Sequence, residues 1–156
     1  VGIAALLASA LLAAATPSAA PPSPIAGMNY LVGSWKCTYK AGTVSMPYDA
    51  TYAYDRNAHL LRQTAVFAGD EGDEELIAYD AKLGWSAVVV DDQGNATIMR
   101  APGSDANHQA FRSVPPDSSI SVTFDKVSPT EYTLHGSVVQ DGKTITNVDT
   151  CVRATQ

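Results

Sequence analysis

Two cysteines bracket nearly all of the strand-forming part of this chain. Cys37 follows a Gly-x-Trp at the start of that part, and Cys151 stands close to the C-terminus. Between them, short alternating segments recur with turn residues in the gaps, and no credible long helix follows Tyr30. A chain of this kind buries its apolar face in a β-barrel or a β-sandwich. The segments read as strands are 34–40, 44–55, 59–68, 75–81, 85–91, 95–100, 108–114, 119–127, 130–140 and 143–153. Gly69-Asp70-Glu71-Gly72-Asp73 reads as an acidic turn, and Pro47 as the mark of an edge or a bulge. Other turns read at Asp55-Arg56-Asn57, Lys82-Leu83-Gly84, Asp92-Gln93-Gly94 and Pro115-Pro116-Asp117. Asp141-Gly142 between the last two strands is a strong hairpin signal. Consecutive hairpins make a meander the simplest topology. The expected fold is all-β: a single antiparallel up-and-down β-barrel of about ten strands.

The N-terminal stretch reads differently. Residues 1–15 are uncharged and rich in Ala and Leu, too short for a spanning helix, and small residues follow at Ser18, Ala19 and Ala20. Residues 1–20 therefore read as a secretory signal clipped upstream, and the mature protein as periplasmic or secreted, with no integral membrane segment. Residues 21–30 read as a Pro- and Ser-rich linker ending in a short helical turn. Ser23 is its candidate cap, and Ile25, Met28 and Leu31 point one way. Residues 31–156 form the barrel domain. A net charge of −6 with scattered Lys and Arg argues against nucleic acid and anionic membrane surfaces.

Two cysteines in an exported domain favour one disulfide over a metal site. If the first and last strands lie antiparallel with Cys37 opposite Cys151, Trp35 falls opposite Arg153 on the same face. The register that permits the crosslink also brings a guanidinium to an indole. That pairing of the chain's two extremities closes the barrel.

Gly33-Ser34-Trp35, opening the first strand after a helical turn, resembles the Gly-x-Trp of lipocalins. In that family an Arg on the final strand covers the Trp, the role that falls here to Arg153. Ala78-Tyr79-Asp80 through Trp85, then Asp91-Asp92-Gln93-Gly94, is similar to secreted or periplasmic bacterial lipocalin-like domains. The Thr-Asp-Tyr signature of the kernel lipocalins is absent. So is the Arg-x-Tyr pair of intracellular lipid binders, since Ala154-Thr155 follows Arg153. The strand count sits nearer those lipid binders than eight-stranded lipocalins. The resemblance implies a calycin-type barrel with room for a cavity, and no particular ligand.

Candidate chemistry is sparse. His59, His108 and His135 lie on separate strands with no spacing that joins them as ligands of zinc or haem. The acidic runs 70–75 and 91–95 lack the pattern of a calcium loop and read as solvated turns. No Gly-x-Ser-x-Gly or Ser-x-x-Lys occurs. No metal, cofactor or catalytic residue is therefore assigned. Aromatics are the stronger signal. Tyr48, Tyr52 and Tyr54 share a face, and Phe67, Trp85, Phe111, Phe124 and Tyr132 join them. Aromatic walls with a few polar groups suit a small-molecule pocket, and equally a filled core. Tyr48, Tyr52 and Trp85 are the candidate wall. Arg62, Arg100 and Arg112 are the candidate partners of a ligand carboxylate, with Arg62 expected inward beside Leu60, Thr64 and Val66. The function expected is binding of a small hydrophobic or amphipathic molecule. The alternatives are a filled barrel acting through its loops as an interaction or inhibitor module, and an enzyme at the barrel mouth.

Overall fold

In the computed structural model, residues 24–56, 58–68, 70–115 and 119–155 are described. The signal segment 1–20, the Ser23 cap, and turn residues Asn57, Gly69, Pro116 and Asp117 lie outside them. Ten strands follow one short helix: β1 (Gly33–Ala41), β2 (Val44–Asp55), β3 (Leu60–Phe67), β4 (Asp70–Asp80), β5 (Gly84–Val90), β6 (Ala96–Ala101), β7 (His108–Ser113), β8 (Ile120–Ser128), β9 (Glu131–Gln140) and β10 (Lys143–Arg153). Each pairs antiparallel with its chain neighbours, and β1 pairs with β10 to close the barrel. Asp141 and Gly142 both take positive φ, as a tight hairpin between β9 and β10 requires.

The β1–β10 register sets Cys37 against Cys151 and Trp35 against Arg153. The cysteines form a disulfide across 114 residues of sequence. A crosslink of that span stabilises by about 4–5 kcal/mol on a chain-entropy accounting. The Arg153 guanidinium lies 4.4 Å from the Trp35 ring centroid, a contact that contributes about 0.5–2 kcal/mol. Gly33 has φ +122°, and a Cβ there would stand 2.9 Å from Arg153 Nη1. The glycine of the Gly-x-Trp thus leaves the space the arginine fills.

Residues Pro24–Leu31 form a 3₁₀ helix. Three residues per turn aligns Ile25, Met28 and Leu31, and all three are buried. The carbonyls at its C-terminal end need donors from elsewhere. Trp35 Nε1–H donates to Leu31 O at 2.6 Å. Arg153 donates to Val32 O at 3.0 Å and to Tyr30 O. One residue from the first strand and one from the last therefore fix the plug that covers this end of the barrel.

Two strand expectations are corrected or refined. The acidic run is not a turn followed by a strand from Glu75, because β4 already begins at Asp70. A bulge explains it: the pairing passes from Thr64–Glu74 to Val66–Glu71, so Gly72 and Asp73 together oppose Ala65. A Cβ on Gly72 would lie 2.7 Å from the Phe67 ring and 2.8 Å from Ala65 O, so the bulge needs glycine. Pro47 pairs with Thr38 of β1, while β2–β3 pairing begins only at Tyr48. It therefore sits on a local edge, where its missing N–H costs nothing.

Arg153→Lys tests the plug. A single ammonium cannot replace a planar fork that serves two carbonyls and an indole face. The expected loss is about 1–3 kcal/mol in urea unfolding, and an unchanged midpoint would contradict the role given to Arg153.

Candidate ligand-binding cavity

The half of the barrel away from the helix is hollow. The cavity measures about 250 Å³. Tyr39, Tyr48, Phe67, Phe111 and Phe124 supply its aromatic wall, with Ala65, Ile77, Val89, Met99, Val122 and Leu134 between them. Tyr48 and Phe67 stack with centroids 4.6 Å apart. Beneath the cavity the interior is filled. Phe124 stacks on Tyr132 at 4.8 Å, Tyr132 meets the edge of Trp35 at 4.8 Å, and the Tyr52 and Tyr132 hydroxyls lie 3.1 Å apart.

The polar lining is acidic. Gln63, Asp73, Glu75, Asn147 and Asp149 face the cavity, and no Lys, Arg or His does so among the described residues. Strand alternation places them. Cys151 is buried by the disulfide, so Asp149 and Asn147 follow it inward on β10. On β4, Ile77 is buried, and Glu75 and Asp73 continue its face. Gly136 on β9 makes room for Asn147, since a Cβ there would overlap the Asn147 amide.

The carboxylates differ in their partners. Tyr48 O–H donates to Asp149 Oδ2 at 2.8 Å, and Asn147 Nδ2 donates to Oδ1 at 2.8 Å. Burial raises the Asp149 pKa, and these two hydrogen bonds oppose the rise. Burial also raises the Tyr48 hydroxyl, reinforced by the Asp149 charge, which keeps it a donor. Glu75 has no hydrogen-bond or ion-pair partner among the described residues. It keeps some accessible surface because it lines the cavity, yet it lies deep in the protein. Burial, and then the charge of Asp73, push its pKa up to about 7. Asp73, nearer the mouth, is raised by burial and then by Asp91 and Asp92.

Of the residues singled out from sequence, Tyr48 lines the cavity. Tyr52 lies below it in the filled interior. Trp85 is fully buried outside the cavity, edge-on to Tyr79 at 5.1 Å, and its Nε1–H has no partner among the described residues. The arginines do not meet the cavity. Arg62 lies on the outer wall, bonded to Glu74 and, at 2.9 Å, to Asp55. Its inward aim is corrected because Leu61, Gln63 and Ala65 take the inner face of β3, leaving Val66 44% exposed outside. Arg100 and Arg112 face each other across β6–β7 on the exposed surface. His59, His108 and His135 are also exposed, on the outside of the barrel or in a turn.

No family model matches this sequence, and no curated protein matches it. The fold has a solved counterpart. An S-type phycobiliprotein lyase from Guillardia theta superposes with a TM-score of 0.55 at 9% identity, covering 86% of this chain and 94% of the lyase. At that identity the likeness is one of fold alone.

The state of Glu75 has a measurable consequence. Between its ordinary value of 4.5 and about 7, folded protein holds a proton that the unfolded chain has released. Stability therefore falls as pH rises through this window, and the penalty is fully present above it. Glu75→Gln should raise stability at pH 8 by about 1–3 kcal/mol and change it little at pH 4. Urea unfolding at the two pH values checks this, and no gain at pH 8 would contradict it.

Proposed function

We propose that this protein binds a small hydrophobic or amphipathic molecule inside the barrel. The observation that carries the reading is the unfilled upper half: an aromatic and aliphatic cavity with a few convergent polar groups. A filled interaction module would need no such space. The phycobiliprotein lyase barrel supports the reading only through its architecture. The buried disulfide fits an oxidising compartment and so an exported protein.

A second reading is an enzyme. Glu75 favours it, because a carboxyl group poised near neutrality can take and return a proton at physiological pH. No nucleophile or second proton-transfer group is hydrogen-bonded to it among the described residues, so binding accounts for more of the site.

The neutral fluorophore N-phenyl-1-naphthylamine tests the cavity. Its emission should rise on titration with protein. Ala65→Phe, which places a ring in the lumen, should weaken binding at least about tenfold while leaving the circular dichroism spectrum unchanged. Equal binding by the folded variant would place the probe elsewhere and overturn the reading.

A further inference from the structure

We propose that the ligand is a compact organic cation, a protonated or quaternary amine on an aromatic or aliphatic body, with its charged head held at Glu75. This rests on the reading of the barrel as a ligand-binding cavity and specifies the class of molecule.

Three observations converge. First, among the described residues every charged side chain on the cavity wall is a carboxylate: Asp73, Glu75 and Asp149. An anionic head would enter a site with three like charges and no counter-charge. Second, the three are not equivalent. Both Asp149 oxygens already accept hydrogen bonds from Tyr48 and Asn147. Glu75 accepts none among the described residues, although it is deep in the protein and faces the lumen. An ionised carboxylate in such a place costs free energy until a donor or a cation reaches it. Third, the wall is rich in aromatic rings, with Phe67 stacked on Tyr48 and Phe111 and Phe124 lining the same cavity. Ring faces attract cations, and a carboxylate set among them is the chemistry that recognises ammonium groups.

The approach is acidic as well. Asp91 and Asp92 lie close enough to act on Asp73 at the mouth, and the whole chain carries −6. Such a field draws in cations and turns away anions. The cavity volume of about 250 Å³ is small for a ligand pocket. It suits a body of one or two rings and not a long acyl chain.

Binding should depend on pH through Glu75. Its neighbours across the flanking strands are Gln63 and Val89, which carry no charge. The titratable groups within its electrostatic reach are Asp73, Tyr48, Tyr52 and Tyr132. The tyrosines stay neutral, so the three wall carboxylates govern the response, Glu75 first and then Asp73 and Asp149, both also raised by burial. A permanently charged ligand should weaken as pH falls below about 7 and Glu75 takes up its proton.

Three probes on one ring system test this: (1-naphthylmethyl)trimethylammonium, 1-naphthylmethanol and 1-naphthylacetate, each titrated by calorimetry at pH 8 and pH 5.5. The cation should bind about tenfold or more tighter than the alcohol at pH 8, and the acetate most weakly. The cation-to-alcohol ratio should fall towards one at pH 5.5, and in Glu75→Gln at pH 8. Equal binding of all three, competed by N-phenyl-1-naphthylamine, would overturn the cation assignment and leave the cavity reading standing. Binding of none of them would overturn both. A cation preference that survives in folded Glu75→Gln would remove Glu75 from the role.

Discussion

One pairing register governs this molecule. Setting Cys37 against Cys151 closes ten strands into a barrel and leaves no free sheet edge between first and last. The same register lays Arg153 on Trp35, and the two side chains then hold the carbonyls that end the N-terminal helix. Gly33 belongs to this arrangement through the space it leaves and not through any contact it makes. Crosslink, aromatic contact and helix plug are three consequences of a single alignment.

The alignment reaches the cavity along two paths. One is parity. With Cys151 turned inward, Asp149 and Asn147 must turn inward too, which puts a carboxylate and its amide donor on the wall. The other is packing. Trp35 meets Tyr132, Tyr132 stacks on Phe124, and Phe124 is the first ring of the hollow half. Filled and unfilled halves are thus joined by one column of rings. At the far wall the Gly72–Asp73 bulge breaks the ladder. The β4 alternation that carries Ile77 inward also brings in Glu75 and, at the bulge itself, Asp73.

Architecture was readable from the chain because it is written in strong local signals. Turn residues at short intervals, alternating strands, the i, i+3 spacing of Ile25, Met28 and Leu31, and the matched offsets Trp35–Cys37 and Cys151–Arg153 all point to the observed barrel. The aromatic wall was legible in part, with Tyr48 in the cavity and Tyr52 beneath it. The charged part is less legible, and the inward aim expected of Arg62 is the one that fails. Arg62 sits among Leu60, Thr64 and Val66, which suggested a buried face, yet barrel exteriors carry apolar residues freely. The acidic run looked like a solvated turn because a bulge hides its alternation, and charge density usually marks exposure. Counting back in twos from Ile77 gives Glu75, and from Cys151 gives Asp149. The signal was parity from a residue already known to be inside, not residue type.

The central claim is the β1–β10 register, and its most direct test is a set of cross-strand proton contacts in solution. In an antiparallel ladder the close, non-hydrogen-bonded pairs bring their α-protons together. Ala154 N–H donates to Ser34 O at 3.0 Å, so the odd-numbered partners of β1 are those close pairs. Strong Hα–Hα nuclear Overhauser effects are predicted for Trp35–Arg153, Cys37–Cys151 and Tyr39–Asp149. Contacts displaced by even one residue, or none between these two strands, would contradict the closure and the inward placement of Asp149 that follows from it.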